Sequence, residues 1–581
     1  MADLSKGLKD MKIDGDRLIV GFDFGTTFSG VAFAFNSGDK PDVHSIVDWP
    51  GIEGFPQPKV PTIIKYDDSD KSKFTWGAQT HAANPIVGIK LLLDPSQPRP
   101  PYLPDSNAQD DLDEIGKPAV TVAADYLAAL YKHAMERIKT SVPTDYLAKC
   151  KKEYVLSVPA VWSDKAKDLT LKAAKQAGIH PVTLIKEPEA AALYTLYTQK
   201  DKSLAVDDAI VIVDAGGGTV DLISYEIAAM KPRLELKELV PSKGSMAGSL
   251  GLNKRFEQEV QHIIGPAEYG RIYQQVGYTT AVNTFDKNVK TAFRGDVDKE
   301  YFVAFPCADL KDNKKRNLKR DVWTMTGFDV AKIFEPLAAD IESLVDQQVK
   351  EVITKRSLDK HPNATKIKAI FMVGGFGSSV YIKNRLQDKY PDIQVIQPHD
   401  AWGAIVKGAV LSKLHQQAFV SSNISPRHYG VVASDLFVKG EDEGQHTFKG
   451  LGDGSIRVSK CTWHIKRGDE LVKGKPIAFP FYRVLPGNFE KKDLIFNTTL
   501  QQSDEVAPPK YPAKRIVKPC CSMAADLRSV SRDMFKLRKG ADGKKYYTLS
   551  YDLVVRSEGA VMKFSLEIGG KEMGSVTAKY E

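Results

Sequence analysis

Three segments of this 581-residue chain combine carboxylates, hydroxyls and glycines in a way that suits phosphate chemistry. The first is IVGFDFGTTFSGVAFAF at residues 19–35, which reads as strand, tight turn, strand. Gly25 lets the backbone bend sharply and approach a ligand. Thr26 and Thr27, with their backbone N–H groups, can hold phosphate oxygens. Asp23, at the strand end, is placed for a metal-bound water. The second, IVIVDAGGGTVDLISYEI at 210–227, repeats the design: an apolar strand, Asp214, the cluster Gly216, Gly217 and Gly218, Thr219, then another strand. Three consecutive glycines are costly in backbone entropy, and a close approach of backbone to phosphate explains them better than a simple turn. The third, IFMVGGFGSSVYIKNRL at 370–386, runs a buried strand into Gly374, Gly375 and Gly377, then into a helix with Ile382 and Leu386 on one face. Its glycines would let a nucleotide sugar and base lie against the backbone near a helix N-terminus. Read singly, the first motif also suits a plain hairpin and the third is weak. Two such hairpins in one chain suggest two similar half-domains clamping one nucleotide.

The elements that must hold these motifs are visible as short apolar runs. Leu18–Phe22, Tyr154–Val158, Ala209–Val213 and Ala369–Val373 are each about five residues long with Gly or Pro nearby, as buried strands are. Continuously apolar strands imply sheets covered on both faces. Between them, SDKAKDLTLKAAKQAG predicts a helix capped by Ser163 or Asp164 and ended by Gly178. Beyond about residue 420 the helical period fades. Short β-branched runs at His428–Ala433, Phe479–Val484, Tyr546–Val555 and Val561–Ile568 predict a β-rich domain. AFVSSNISPRHYG is the expected junction, and QQSDEVAPPKYPAKR an expected flexible loop within that domain.

Bulk properties narrow the class. The chain is 42% hydrophobic and 27% charged, an ordinary globular balance with room for a large core. At this length about four domain-sized units are expected. No apolar run reaches the length of a membrane span, and the polar N-terminus MADLSKGLKDMKIDGDR lacks the core of a signal peptide. Five cysteines do not make a disulfide framework, so a reducing, cytoplasmic or nuclear setting is expected. Cys520 and Cys521 lack the spacing of a zinc site. The run LKDNKKRNLKR, with Lys311, Lys314, Lys315, Arg316, Lys319 and Arg320, has no interleaved aromatics and reads as a solvated loop, so neither nucleic acid nor membrane is an expected partner.

DFGTT, DAGGGT and VGGFG, in this order, resemble the two phosphate motifs and the adenosine motif of the actin, hexokinase and heat-shock chaperone superfamily. EYVLSVPAVWSDKAKDLTLKAAKQAGI and LIKEPEAAAL are similar to two further segments of the 70-kDa heat-shock chaperone family, and PHDAWGAIVKGAVL is closer to its divergent, short-tailed branch. The resemblance covers residues 16–415. It implies an α/β, two-lobed actin-like (ribonuclease H-like) ATPase fold: lobe I at 16–200, lobe II at 201–420, and a C-terminal β-rich domain at 421–581. It implies ATP or ADP with Mg²⁺ as cofactors, held through water by Asp23, Glu187 and Asp214. Lys90, Glu187, Asp214 and Thr219 would be catalytic. Gly25, Thr26, Thr27, Phe28, Gly216, Gly217, Gly218, Lys290, Gly374, Gly375 and Gly377 would contact the nucleotide. Pro159 with Lys167 matches a proline-plus-cation relay, usually built with arginine. A client protein or peptide and a co-chaperone are the further partners implied.

Departures from the family pattern lie in the adenine clamp, where FDKNVKTAFRG keeps Lys290 but has no clear acidic partner, and in AGSLGLN, which lacks an acidic pair. No acidic–apolar linker stands near residue 420 and no helical lid follows the β-rich domain. ATP is therefore expected to change peptide affinity by less than about tenfold. A slow, Mg²⁺-dependent ATPase of chaperone type is the leading expectation. A nucleotide-binding scaffold with little hydrolysis is the alternative, and a small-molecule kinase on the same fold lacks any visible substrate insertion.

Overall fold

Strands form where the sequence is continuously apolar. Arg17–Asp23, Ala209–Ala215 and Ala369–Val373 are buried almost without interruption. The computed structural model describes residues 16–36, 41–80, 85–94, 97–98, 108–198, 204–414, 418–450, 453–573 and 575–580. The N-terminal reading (1–15) and part of GLGDGS (451–452) lie outside them. The chain divides into two units, Met1–Val420 and Ser421–Glu581.

The first unit is mixed α/β and contains two sheets of one design. In the first, Arg17–Asp23 pairs antiparallel with Phe28–Phe35 and parallel with Lys151–Val158, which pairs parallel with Val182–Lys186. In the second, Ala209–Ala215 pairs antiparallel with Val220–Ala229 and parallel with Ala369–Val373, which pairs parallel with Gln394–Ile396. Each sheet therefore opens on a hairpin whose first strand ends in an aspartate, Asp23 or Asp214. The expected helix is Asp164–Gln176, and the cap is Ser163, whose hydroxyl accepts from Ala166 N at 3.1 Å. Helices Glu187–Thr198 and Ala404–Leu411 cross at backbone contact: a Cβ on Gly408 would stand 1.7 Å from Ala190 O.

The second unit is antiparallel β. One sheet contains His428–Leu436, Ile456–Ile465, Ile495–Ser503, Lys518–Asp526 and Ser575–Tyr580, and the other Ile477–Pro486, Lys545–Glu558 and Val561–Ile568. Their inner faces share one core containing Phe479, Leu485, Phe496, Leu500, Cys521, Met523, Leu553 and Leu566. No α-helix occurs among the described residues of this unit. All five cysteines are free thiols. No helix among the described residues is long and apolar enough to cross a membrane.

The two expected connections fall where the sequence placed them, and each is built into the fold. The junction is a strand, Ala418–Ile424, and Ala418 and Val420 are buried in the core of the first unit with Leu234 and Leu236. Alternation of small and apolar residues, rather than an acidic–apolar motif, builds it. The loop after Ser503 is anchored: Trp463 Nε1 donates to Pro509 O at 2.6 Å, and Tyr511 Oη donates to the enclosed Asp442 at 2.6 Å. The basic run does present all six cations to solvent, pinned by the buried Leu318.

Candidate functional site

The two hairpin turns face each other. A Cβ on Gly217 would fall 2.3 Å from Thr27 Oγ1, and one on Gly218 2.5 Å from Thr26 Oγ1. The glycines thus let the two turns touch, and a side chain at either would drive them apart. The turn at 216–219 is braced from behind by AGSLGLN. Gly248 N, Ser249 N and Leu250 N donate to Gly218 O, Gly216 O and Gly217 O at 3.2, 3.0 and 2.8 Å. Gly25 sits tightly in its own turn, where a Cβ would meet Phe28 O at 2.1 Å.

Four enclosed carboxylates gather around these turns. Asp23 accepts from Lys59 Nζ at 2.5 Å and from Ser157 Oγ at 2.9 Å. Glu187, first residue of its helix, pairs with the buried Lys90, whose ammonium lies 5.5 Å from the Trp162 ring centroid. Asp214 stands opposite Asp221 in the hairpin register. Like charges directly opposite destabilise a sheet, so this pair costs the fold energy. Asp221 accepts from Val161 N at 3.2 Å, while Asp214 Oδ1 and Asp221 Oδ2 are buried without a hydrogen-bond partner.

The crowding shows in proton affinities. Burial pushes the Glu187 carboxyl up to about 7; Lys90 opposes that shift, and Asp23 and Asp221 add to it. Burial, then repulsion from Glu187, Asp221 and Asp23, holds Asp214 well above the usual carboxylate range. Burial also raises Asp221, against hydrogen bonds from Thr219 and Val161.

These residues suit a hydrated Mg²⁺ ion. The donors are hard oxygens, two of them orphaned and buried, and carboxylates outnumber the lysines. Among the described residues no three acidic, histidine or cysteine side chains form a direct ligand set.

The third glycine segment adjoins the second hairpin. Gly374, at φ +83°, would place a Cβ 2.5 Å from both Ala215 O and Asp214 Oδ1, so it combines a left-handed backbone with a close approach. A Cβ on Gly375 would face Trp402 Nε1 at 4.0 Å, and Trp402 meets the Phe28 ring edge-on at 5.5 Å. Gly377 is buried against Met372, at the end of the preceding strand. Lys290 is reached through the helix Leu250–Ile264, whose Asn253 Oδ1 accepts from it at 3.1 Å. It also pairs with Asp286, the acidic partner that the sequence did not make clear. The two stand four residues apart, an ordinary helical ion-pair spacing, although the turn between them, Phe285–Val289, is a π turn. Arg294 bonds its own backbone, donating to Thr291 O at 2.7 Å. Lys167 pairs with Asp164 on its own helix at 3.2 Å.

Sequence reasoning missed Lys59, Ser157, Asp221, Trp162, Gly248 and Trp402. Asp221 was within reach, because a four-residue turn at 216–219 pairs residue 214 with 221. Lys59 carries no local signal: the pairing of Val60 with Ser29 delivers it.

Comparisons with known proteins agree with this architecture. A family model described as Hsp70 protein matches residues 116–231, and one described as a domain of unknown function matches 205–397. Heat shock 70 kDa protein 12A of Mus musculus is 25% identical over 503 residues, covering 73% of each chain. Heat shock 70 kDa protein 12B of Homo sapiens is 25% identical over 499 residues, 73% of this chain and 72% of its own. Chaperone protein HscA of Pectobacterium carotovorum is 35% identical over 222 residues, 36% of this chain and 32% of its own. Two facing hairpins and similarity across most of the chain together support one assignment, a divergent member of the 70-kDa heat-shock chaperone family with a nucleotide-binding, chaperone-like character.

Proposed function

We propose that the protein binds ATP and ADP with Mg²⁺ and hydrolyses ATP slowly, as a chaperone-type ATPase built on two actin-like lobes (16–200 and 201–420) with a β-rich domain at 421–581. The facing turns, with the carboxylates and Lys90 gathered behind them, are the observation that carries this reading. Thr26, Thr27, Thr219 and the backbone of Gly216–Gly218 hold phosphate oxygens. Asp23, Glu187 and Asp214 would hold a hydrated Mg²⁺, which when bound supplies charge for the phosphates. Lys90 stabilises negative charge at the terminal phosphate, and Glu187 holds Lys90 in place. Water attacks the terminal phosphate, and nothing covalent forms with the protein. Gly374, Gly375 and Gly377 let the sugar lie on the backbone, Phe28 borders it, and Lys290 faces the base. Free thiols support a cytoplasmic or nuclear setting, and similarity to the chaperone protein HscA supports a client protein or peptide as partner, with a co-chaperone as a further one.

A nucleotide-held scaffold with little hydrolysis is the second reading, favoured by the engagement of Lys290 with Asp286 and Asn253 while Arg294 bonds its own backbone. Single-turnover hydrolysis of MgATP by the purified chain separates the two. Phosphate release within minutes to hours supports the enzyme. Tight binding without release supports the scaffold. No heat or thermal shift with either nucleotide at about millimolar concentration, where even weak sites fill, would exclude both.

A further inference from the structure

Lys59 belongs to none of the motifs, yet it is only 5% exposed. The pairing of Val60 with Ser29 lays it across the first hairpin, where its stem covers Gly30: a Cβ there would meet Lys59 Cγ at 3.2 Å. Its ammonium donates to Asp23 Oδ2 at 2.5 Å. Its charge also favours the ionised form of Asp214. Lys90, the other lysine of the cluster, is committed to Glu187. Burying an ammonium is costly, and an edge that needed only packing would be served by an apolar side chain of the same length.

We propose that Lys59 is a tethered cation of the nucleotide site, neutralising Asp23 so that the phosphates of a nucleoside diphosphate or triphosphate can enter with or without a divalent ion. The inference rests on the nucleotide reading above. Phosphates and four clustered carboxylates repel at short range in a medium of low dielectric. A fixed ammonium on Asp23 removes the part of that repulsion which the divalent ion would otherwise have to cancel. Nucleotide affinity is then less dependent on Mg²⁺ than the carboxylate count alone would require.

Calorimetric titration of the full chain with ADP, in Mg²⁺ and in EDTA, tests this without measuring turnover. In wild type, EDTA should weaken ADP by less than about tenfold. In Lys59→Met it should weaken ADP by about a hundredfold or more, with affinity in Mg²⁺ within a few-fold of wild type. Lys59→Arg should keep the wild-type ratio. Adding Asp23→Asn to Lys59→Met should restore binding in EDTA, because the charge that Lys59 cancels is then gone. An equal ratio in wild type and Lys59→Met would overturn the inference alone, as would a hundredfold EDTA effect in wild type. Absence of ADP binding by wild type in both conditions would overturn the nucleotide reading and this one with it. If Lys59→Met does not fold, Lys59→Gln carries the same comparison and an unchanged ratio there is equally decisive.

Discussion

Lys90 and Glu187 are both enclosed, so each leans on the other for its charge. Removing Lys90 leaves the carboxylate cluster without the cation nearest Glu187. Lys90→Ala should cut hydrolysis about a hundredfold, typical of losing one charge-stabilising group. It should leave ADP affinity within a few-fold, because the role lies at the terminal phosphate. Equal single-turnover rates in Lys90→Ala and wild type would remove this lysine from the chemistry. The cluster also fixes a pH dependence. Glu187 is raised from its usual 4.5 to about 7, and burial is the largest cause. A folded value above the unfolded one stabilises the protein below about 4.5, and that contribution is lost as pH rises toward 7. Mg²⁺ with ADP favours the carboxylate and so expels protons. The thermal shift from MgADP should therefore grow between about pH 5 and 7.5, with proton release detectable in buffers of different ionisation enthalpy. Glu187→Gln should flatten that growth. At this scale the sequence was legible wherever a residue sits inside a local pattern, as Asp23, Thr26, Thr27 and Asp214 do. It was silent on Lys59 and Ser157, because their partner Asp23 is distant in the chain and only the sheet pairings bring them together.

Elements were legible where a period or a cap is local. The apolar strand Ala369–Val373 and the helix ending at Gly178, whose φ is +82°, both follow from short-range rules. The π turn at Phe285–Val289 did not follow, since hydrophobic period alone does not register one extra residue in a turn. Nor did the crossing of Glu187–Thr198 with Ala404–Leu411, which depends on the missing side chain of Gly408. The carbonyl of Ala190 occupies the space a Cβ would need. Gly408→Ala must push the helices apart, and because Glu187 begins one of them, the site should move with the crossing. The expected loss is about 1–3 kcal/mol or more, the range for overpacking a close contact, read by chemical denaturation. It should come with weaker MgADP binding, whereas Gly270→Ala, in the helix Pro266–Ile272 where a Cβ meets nothing within 4 Å, should leave nucleotide binding unchanged. Wild-type stability and affinity in Gly408→Ala would show that the crossing is loose enough to absorb a methyl group.

For the whole molecule, the change from α/β to β character near residue 420 was readable from periodicity, but the junction was not. AFVSSNI has no acidic–apolar signature, so the sequence alone suggested a connector with nothing to dock. Ala418 and Val420 are instead buried beside Leu234 and Leu236, and Phe419 lies under the Arg233 guanidinium at 4.1 Å. One of the two grounds for expecting less than tenfold coupling between nucleotide and peptide, a connector with nothing to dock, is thereby weakened; the other, the lack of a lid helix, still holds among the described residues. The same burial makes a sharper prediction about where the chain can be cut. A fragment ending at residue 424 keeps the strand. It should unfold in one transition and be stabilised by MgADP as the full chain is. A fragment ending at residue 417 loses a fully buried valine and alanine and uncovers the leucines they pack against. Burial of one valine side chain is worth about 1.5–3 kcal/mol, so the shorter fragment should be less stable by at least that amount and more prone to associate through the exposed patch. Denaturant midpoints and light scattering of the two fragments decide it. Equal midpoints would mean that the strand is only laid on the first unit, with its packing contributing nothing to that unit's stability.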